Sequence, residues 1–505
     1  MRKITFSLVC VVLLSLLTGS ANGQSNLTYE DLDQYIQAAA DSFDMPGLAV
    51  GIIQNDEVVF LKGYGYSNTE TKTMVDENTL FGIASCSKAF TAACLAMLVD
   101  EGKIDWDDKV IDHYPSFELY DPFITRELMV KDLLCHRAGY QTFDGDLLWY
   151  GTNYSREEVI QRFRHRENPY SLRERYGYSN IMFIAAGELI KSVTGMTWDE
   201  FVIERIFTPL GMSNSTTTNA GFREGMNIAW PHLDGSPMSF INYDNSGPAA
   251  SINTSASELL RWTQLMLNKG QWNDSILFSE SQYYKLVEPH TITRAARGER
   301  IDGTHFYTYG LGWALKDYDG RKIIDHGGGL PGFHSKVVFV PEDDFGYVIL
   351  ANEISLLVPA LEHDLLDFLL NDSLGWVERY LPYKDMQKKS ETEKWEKLEK
   401  ERIPNTTPSL PLEAYTGLYE DEMYGQAEVV LSDHKLNIRL LPSGNLFDAD
   451  MEHWHLDTFR IKVKDPFLPA GFITFSLGED GKVTGFRINI ENPDFHFYKL
   501  DFKKI

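Results

Sequence analysis

The sequence predicts an α+β fold followed by a small all-β domain. Two observations lead there. Short strands rich in Val, Ile and Phe stand near both ends of the longer first part of the chain, with apolar-striped helices between them. Past a charged, proline-bearing stretch the texture changes to short alternating strands separated by Asn, Asp and Gly turns. The first part should hold a mixed sheet whose first and last strands meet, with a helical region inserted. The second should form an antiparallel barrel or sandwich.

The elements follow in chain order along 505 residues. Arg2 and Lys3, the apolar run at 6–17 and the small residues Ala21 and Gly23 read as a secretory signal peptide over 1–23. The run is shorter than the roughly 20 apolar residues a bilayer span needs. Export to a periplasm or to the exterior, with no stable membrane anchor, is the expectation. A helix pattern covers 27–39, and 47–53 with 57–60 around Asn55-Asp56 form a hairpin signature. Residues 81–98 read as one helix that is apolar almost all round, which belongs in the centre of a domain. Further helices are expected at 130–134, 182–190, 257–267 and 356–370, and strands at 336–341 and 347–351. Lys and Glu crowd 384–402, a solvated helix, and Pro404, Pro408 and Pro411 mark a linker at 403–411. Strands at 426–430, 435–439, 459–463, 473–476 and 484–488 build the last domain. The expected boundaries are 24–380 for the main domain, 381–411 for the charged helix and linker, and 412–505 for the barrel.

A net charge of −26 disfavours nucleic acid and anionic membrane surfaces as partners. Beyond the signal segment the cysteines are Cys86, Cys94 and Cys135, which make no disulfide framework.

The chemistry centres on Ser85-Cys86-Ser87-Lys88. Three residues along a helix put Ser85 and Lys88 on one face. A hydroxyl becomes a nucleophile when a base takes its proton, and a lysine serves as that base when an apolar wall keeps it neutral. The competing reading is a Ser that caps the helix and a Lys that reaches solvent. A second copy, Ser432-Asp433-His434-Lys435, lies at a turn between two C-terminal strands, where the two side chains need not meet. Tyr178-Ser179-Asn180 precedes an apolar helix, and in an extended loop a phenol and an amide two residues apart point the same way, the phenol toward the serine while Asn180 holds a substrate carbonyl or Lys88. Tyr66-Ser67-Asn68 and Tyr243-Asp244-Asn245 fit the same pattern, and packing is the alternative for each. His326-Gly327-Gly328-Gly329 follows a short strand; its glycines let a ligand approach the backbone, and the histidine can donate to an acyl oxygen of substrate or to Tyr178, with a structural turn as the competing reading. No Gly-x-Ser-x-Gly elbow accompanies it, which argues against an α/β-hydrolase. Cys86 reads as core filler, and Asp132, His136 and Arg137 as braces. His453 and His455 lack a third ligand for zinc, so no metal or other cofactor is expected.

Taken together, Phe81-Gly82-Ile83-Ala84-Ser85-Cys86-Ser87-Lys88, Tyr178-Ser179-Asn180 and His326-Gly327-Gly328, in that order, resemble the class C β-lactamase and D,D-carboxypeptidase-like group of serine hydrolases, the β-lactamase-related or S12-type family. Residues 125–139, 247–251 and 309–313 add family-like stretches. The resemblance covers about 27–370 and implies an antiparallel sheet flanked by helices plus a helical region. It implies Ser85, Lys88, Tyr178 and His326 as catalytic residues, with Asn180, Gly328 and Gly329 holding substrate. The oxyanion would lie between the N–H groups of Ser85 and Gly329. Having His rather than Lys at 326 is more like the esterase and peptidase branches than dedicated β-lactamases. The C-terminal region resembles the lipocalin-like domain behind some family members, with a homo-oligomer left open. The implied function is a serine acyl hydrolase acting through an acyl-enzyme, first a peptidase on small or D-amino-acid-containing peptides. An esterase, a weak β-lactamase and a non-catalytic penicillin-binding-like envelope receptor are the alternatives.

Overall fold

A computed structural model describes residues 27–295 and 302–505, so the 1–23 segment lies outside the described residues. The central sheet has nine strands. In chain order they are β1 (Gly47–Gln54), β2 (Glu57–Asn68), β3 (Thr73–Met74), β4 (Thr291–Ala295), β5 (Phe306–Tyr309), β6 (Ala314–Tyr318), β7 (Arg321–Leu330), β8 (Phe333–Val340) and β9 (Phe345–Ala351). Across the sheet they run β4-β5-β6-β7-β8-β9-β1-β2-β3. The first and last strands do meet, with Leu48 opposite Ala351 and Gln54 opposite Phe345. The sheet is antiparallel throughout rather than mixed. Tight connections join β6 through β9, and a parallel neighbour would need a long crossover.

Strand β1 is buried on both faces and splits two cores. Leu48, Val50 and Ile52 face one side with helices α1 (Tyr29–Ser42) and α5 (Leu357–Asn371), while Ala49 and Ile53 face the helical region. Thr28 starts α1 as a capping box with Asp31. Gly51 lets helix α4 (Ala256–Leu267) lie close, because a Cβ there would stand 2.7 Å from Leu260.

The apolar segment 81–98 is not one helix. Phe81–Gly82 forms a short strand against Asn253–Thr254, Ala84–Cys86 makes a 3-10 turn, and helix α2 covers Ser87–Asp100. Ala84 holds φ +48°, a left-handed conformation that a continuous helix cannot contain. The stretch Val130–Leu134 is likewise a 3-10 turn, and helix α3 spans Asn180–Thr194.

The charged helix Met386–Glu401 is not wholly solvated. Trp395 packs on Phe472 and Trp454 of the C-terminal domain, and Lys388 pairs with Asp234 at 2.7 Å rather than along its own helix. That domain is a closed barrel of eight strands: Gly417–Asp421, Gly425–Ser432, Lys435–Leu440, Ala449–His455, Thr458–Ile461, Gly471–Leu477, Val483–Asn489 and Phe502–Lys504. The last closes on the first, with Tyr419 opposite Lys504. Three of these strands, at 417–421, 449–455 and 502–504, go beyond those the sequence pattern marks; the first and last of them pair with each other, so no open edge leaves backbone groups unpaired.

The barrel docks on the helical region. Tyr150 donates to Asp465 at 2.6 Å and stacks on Phe495 with ring centroids 3.9 Å apart, and Tyr154 donates to the Tyr424 carbonyl at 2.8 Å. Ser432 and Lys435 sit opposite each other at a hairpin tip. The rings of His453 and His455 bond backbone groups of Leu456 and Ile403.

Candidate active site

Ser85 sits in the turn that leads into α2, held from both sides. Ile83 donates its N–H to the Ile252 carbonyl at 2.9 Å, and Ser335 on β8 donates to the Ile83 carbonyl at 2.7 Å. Cys86 donates its thiol to the His326 carbonyl at 3.2 Å, and burial pushes that thiol up to about 11, so it is a packing group. Gly328 explains the closeness of turn and strand. A Cβ there would lie 2.2 Å from the Ile83 carbonyl and 2.9 Å from Ala84. Gly328 is thus needed for packing, while Gly327 and Gly329 have room for a side chain. The left-handed Ala84 immediately before the hydroxyl is a strained position of the kind that persists only when its surroundings hold it.

Lys88 is fully buried at the start of α2. Its amine donates to Ser85 Oγ at 3.1 Å, to Asn180 Oδ1 at 2.6 Å and to the Ala249 carbonyl at 2.9 Å. The Tyr178 ring centroid lies 4.7 Å from Nζ. Burial among apolar side chains brings its pKa down to about 7, with Asp146 opposing the shift. All of Lys88's bonded acceptors are uncharged, so the neutral amine is accessible at ordinary pH.

Tyr178 and Asn180 enter on the loop that starts α3, where Ser179 caps the helix by accepting the Met182 N–H. Burial raises the Tyr178 phenol well above 10, partly offset by its interaction with the Ser85 hydroxyl. It is a proton donor at rest. Asn180 turns its carbonyl to Lys88 and its amide nitrogen to Asp146 Oδ2, at 2.7 Å.

His326 faces the same space, yet its polar partner is Tyr309, at 2.7 Å from Nε2; the Tyr178 and His326 ring centroids are 6.5 Å apart. Nδ1 donates to the Gly327 carbonyl at 2.7 Å, which leaves Nε2 to accept the Tyr309 hydroxyl. Burial, with the Lys88 charge nearby, brings His326 down to about 3, so it is neutral. His136 lies beneath. Its Nδ1 accepts the Ser179 N–H at 3.0 Å, and its ring is 4.1 Å from Tyr178 and 4.5 Å from Tyr309. Asp132 braces that loop through Arg137 at 2.7 Å and Arg173 at 2.5 Å.

Ser85, Lys88, Tyr178, Asn180 and the His326 strand therefore converge from three separate stretches. Sequence reasoning missed Asp146 and the pairing of Tyr309 with His326. Asp146 falls in a loop with no periodicity and no motif; Tyr309 stands in a recognisable stretch, but nothing local points it at a histidine.

Known proteins resemble the chain along these lines. The family model described as "Beta-lactamase" matches residues 32–371, and a domain of unknown function, DUF3471, matches 401–504. An unguisins hydrolase of Aspergillus campestris is 26% identical over 489 residues, covering 90% of this chain and 88% of its own. Among solved structures, the octameric penicillin-binding protein homologue from Pyrococcus abyssi superposes with a TM-score of 0.60 at 20% identity, over 95% of this chain and 100% of that one. The D-amino acid amidase from Ochrobactrum anthropi, complexed with L-phenylalanine amide, gives 0.53 at 21% identity, over 64% and 91%.

Proposed function

The chain belongs to the β-lactamase family as a serine hydrolase, and from that premise we propose that it cleaves small or D-amino-acid-containing peptides through an acyl-enzyme on Ser85. One observation carries the reading: a buried amine able to lose its proton near pH 7 stands 3.1 Å from a hydroxyl in a strained turn. The names of two similar proteins, a hydrolase of unguisins and a D-amino acid amidase, support an amide or ester as the scissile group.

In the proposed reaction, Ser85 Oγ attacks the carbonyl carbon while Lys88 accepts the hydroxyl proton. The oxyanion is held by the N–H groups of Ser85 and Gly329, where losing one such donor costs on the order of 10²–10³ in rate. Tyr178, protonated at rest, hands its proton to the departing nitrogen or oxygen as the C–N or C–O bond breaks, and Lys88 restores it. Water then adds to the acyl carbon and gives its proton to the same pair, which passes that proton to Ser85 Oγ as the acyl C–Oγ bond breaks. Neutral His326 acts through Tyr309 and places no ammonium where a β-lactam carboxylate would sit, which favours the peptidase or esterase over the β-lactamase.

Export to a periplasm or the exterior belongs to the same reading, supported by the sequence of residues 1–23. Among the described residues no helix is long and apolar enough to cross a membrane. A homo-oligomer is supported by the octameric homologue; light scattering of the purified chain decides it.

The test is labelling by a fluorophosphonate, run beside turnover of an amide, an ester and a β-lactam panel. The wild type should label and turn over amides or esters, and Ser85→Ala should do neither. A wild type inert to both, or a Ser85→Ala that still turns over substrate, overturns the reading; tight binding of unhydrolysed peptide by both proteins would mark a receptor.

A further inference from the structure

Lys88, Asn180 and Asp146 stand in a line of three buried side chains. The amine donates to Asn180 Oδ1 at 2.6 Å, and Asn180 Nδ2 donates to Asp146 Oδ2 at 2.7 Å. A carboxylate oxygen accepts and does not donate, so it selects the NH₂ end of the amide and leaves the carbonyl end facing Lys88. A neutral Lys88 amine offers a lone pair as well as N–H donors, so without the carboxylate Asn180 could present either end to it.

Asp146 is 2% exposed, and its second oxygen, Oδ1, has no hydrogen-bond partner; the Trp149 indole N–H is close but also unpartnered. A buried carboxyl with an unsatisfied oxygen is costly. Burial raises Asp146 to about 7 against the pull of Trp149, Asn180 and Lys88, with Asp494 of the barrel adding a like charge, so above that pH it is the carboxylate that accepts from Asn180.

We propose that Asp146 is a positioning residue for the Ser85 reaction, acting on Lys88 through Asn180: it fixes which end of the Asn180 amide meets the amine and sets a negative charge beside it. This rests on the reading of Lys88 as the base. The other groups facing Lys88 are Ser85 and Cys86 from its own turn, Tyr178 from the α3 loop, His136 and His326. Those facing Asp146 are Trp149, Asn180 and Asp494. The carboxylate is thus the anionic neighbour that favours the ammonium form of Lys88. Removing it should make the amine lose its proton at lower pH.

The experiment is the second-order rate of fluorophosphonate labelling of the full chain from pH 5 to 10, for wild type, Asp146→Asn, Asp146→Ser and Asp146→Glu. Labelling reads nucleophile activation with no peptide to bind. Loss of the charge in Asn or Ser should shift the acid limb to lower pH by about one unit, a tenfold change in the protonation equilibrium. The Ser variant adds no bulk and serves where Asn does not fold. Both should lower the plateau rate about tenfold through the freed Asn180 amide, and Glu should return the limb to its wild-type position. If the wild type labels but folded Asn or Ser variants keep its limb and plateau, this inference fails alone. If the wild type does not label, the base reading fails and takes the inference with it.

Discussion

Two lysines buried on opposite sides of the central sheet have opposite fates. Lys88, on the helical side, is bonded to a hydroxyl, an amide carbonyl and a backbone carbonyl, and burial brings it down to about 7. Lys336, on β8, points to the other side and meets Asp325 at 2.5 Å and Glu362 of α5 at 3.0 Å. Burial penalises its charge as well, yet the two carboxylates hold it above its ordinary value. Lys316 joins them at 2.6 Å from Glu362, completing a neutral quartet that ties three strands to α5. Burial alone therefore does not make a base. The nature of the bonded acceptors decides, and the active side keeps carboxylates one residue further away.

The largest effect is expected at Lys88. Lys88→Met should lower labelling and turnover at pH 7 by roughly 10²–10⁴, the range for loss of a general base. It should also alter stability against pH. Lys88 releases its proton near 7 when folded and near 10.4 when unfolded, so between those values the unfolded chain binds more protons and stability rises with pH. Denaturant unfolding at pH 7 and 10 should show that rise in the wild type, reduced in Lys88→Met. Equal slopes would mean the amine is charged throughout.

On the other side of the sheet, Glu362→Gln should cost about 3–5 kcal/mol of stability by leaving two buried ammonium groups short of charge. Rates per folded molecule should stay close to wild type. Glu362 is held well below its usual range by Lys316 and Lys336, against the penalty of burial. Its contribution is present above the unfolded carboxyl pKa and fades only as pH falls toward the folded one. Lys336 is raised, so its contribution is present below the unfolded pKa and is lost as pH rises past it. Neither produces the rise expected of Lys88 between 7 and 10. A Glu362→Gln protein as stable as wild type would make the quartet dispensable.

The smallest effect belongs to an exposed pair. Lys62 and Asp33 lie 2.6 Å apart with the lysine side chain 47% exposed. Asp33→Asn should change stability by less than about 1 kcal/mol, and less still in high salt. A larger loss would show that contact distance, rather than burial, sets the scale.

Much of this was legible beforehand, for physical reasons that differ by element. The helix at 257–267 and the strands at 336–341 and 347–351 appear because periodicity is a local property. The turn at Ala84 did not, since an alanine in left-handed backbone carries no mark in an apolar run; the strain is imposed by β8 and by the Ile252 carbonyl. Tyr178 and Asn180 stood out by their spacing. The choice of Asn180 between substrate and Lys88 was open, and the structure gives it Lys88. His326 was expected to serve Tyr178 or substrate, and the hydroxyl it meets is that of Tyr309.

By itself the sequence determined the class of fold, the presence of a separate barrel and the residue types available for acyl transfer, because these follow from patterns a few residues long. The tertiary structure alone decided protonation and pairing. Lys88 meets Asn180 from 92 positions away, and Asn180 meets Asp146 from 34. Whether an amine is a base or an ion depends on what folding brings within a few ångströms of it, and on how much water folding leaves there.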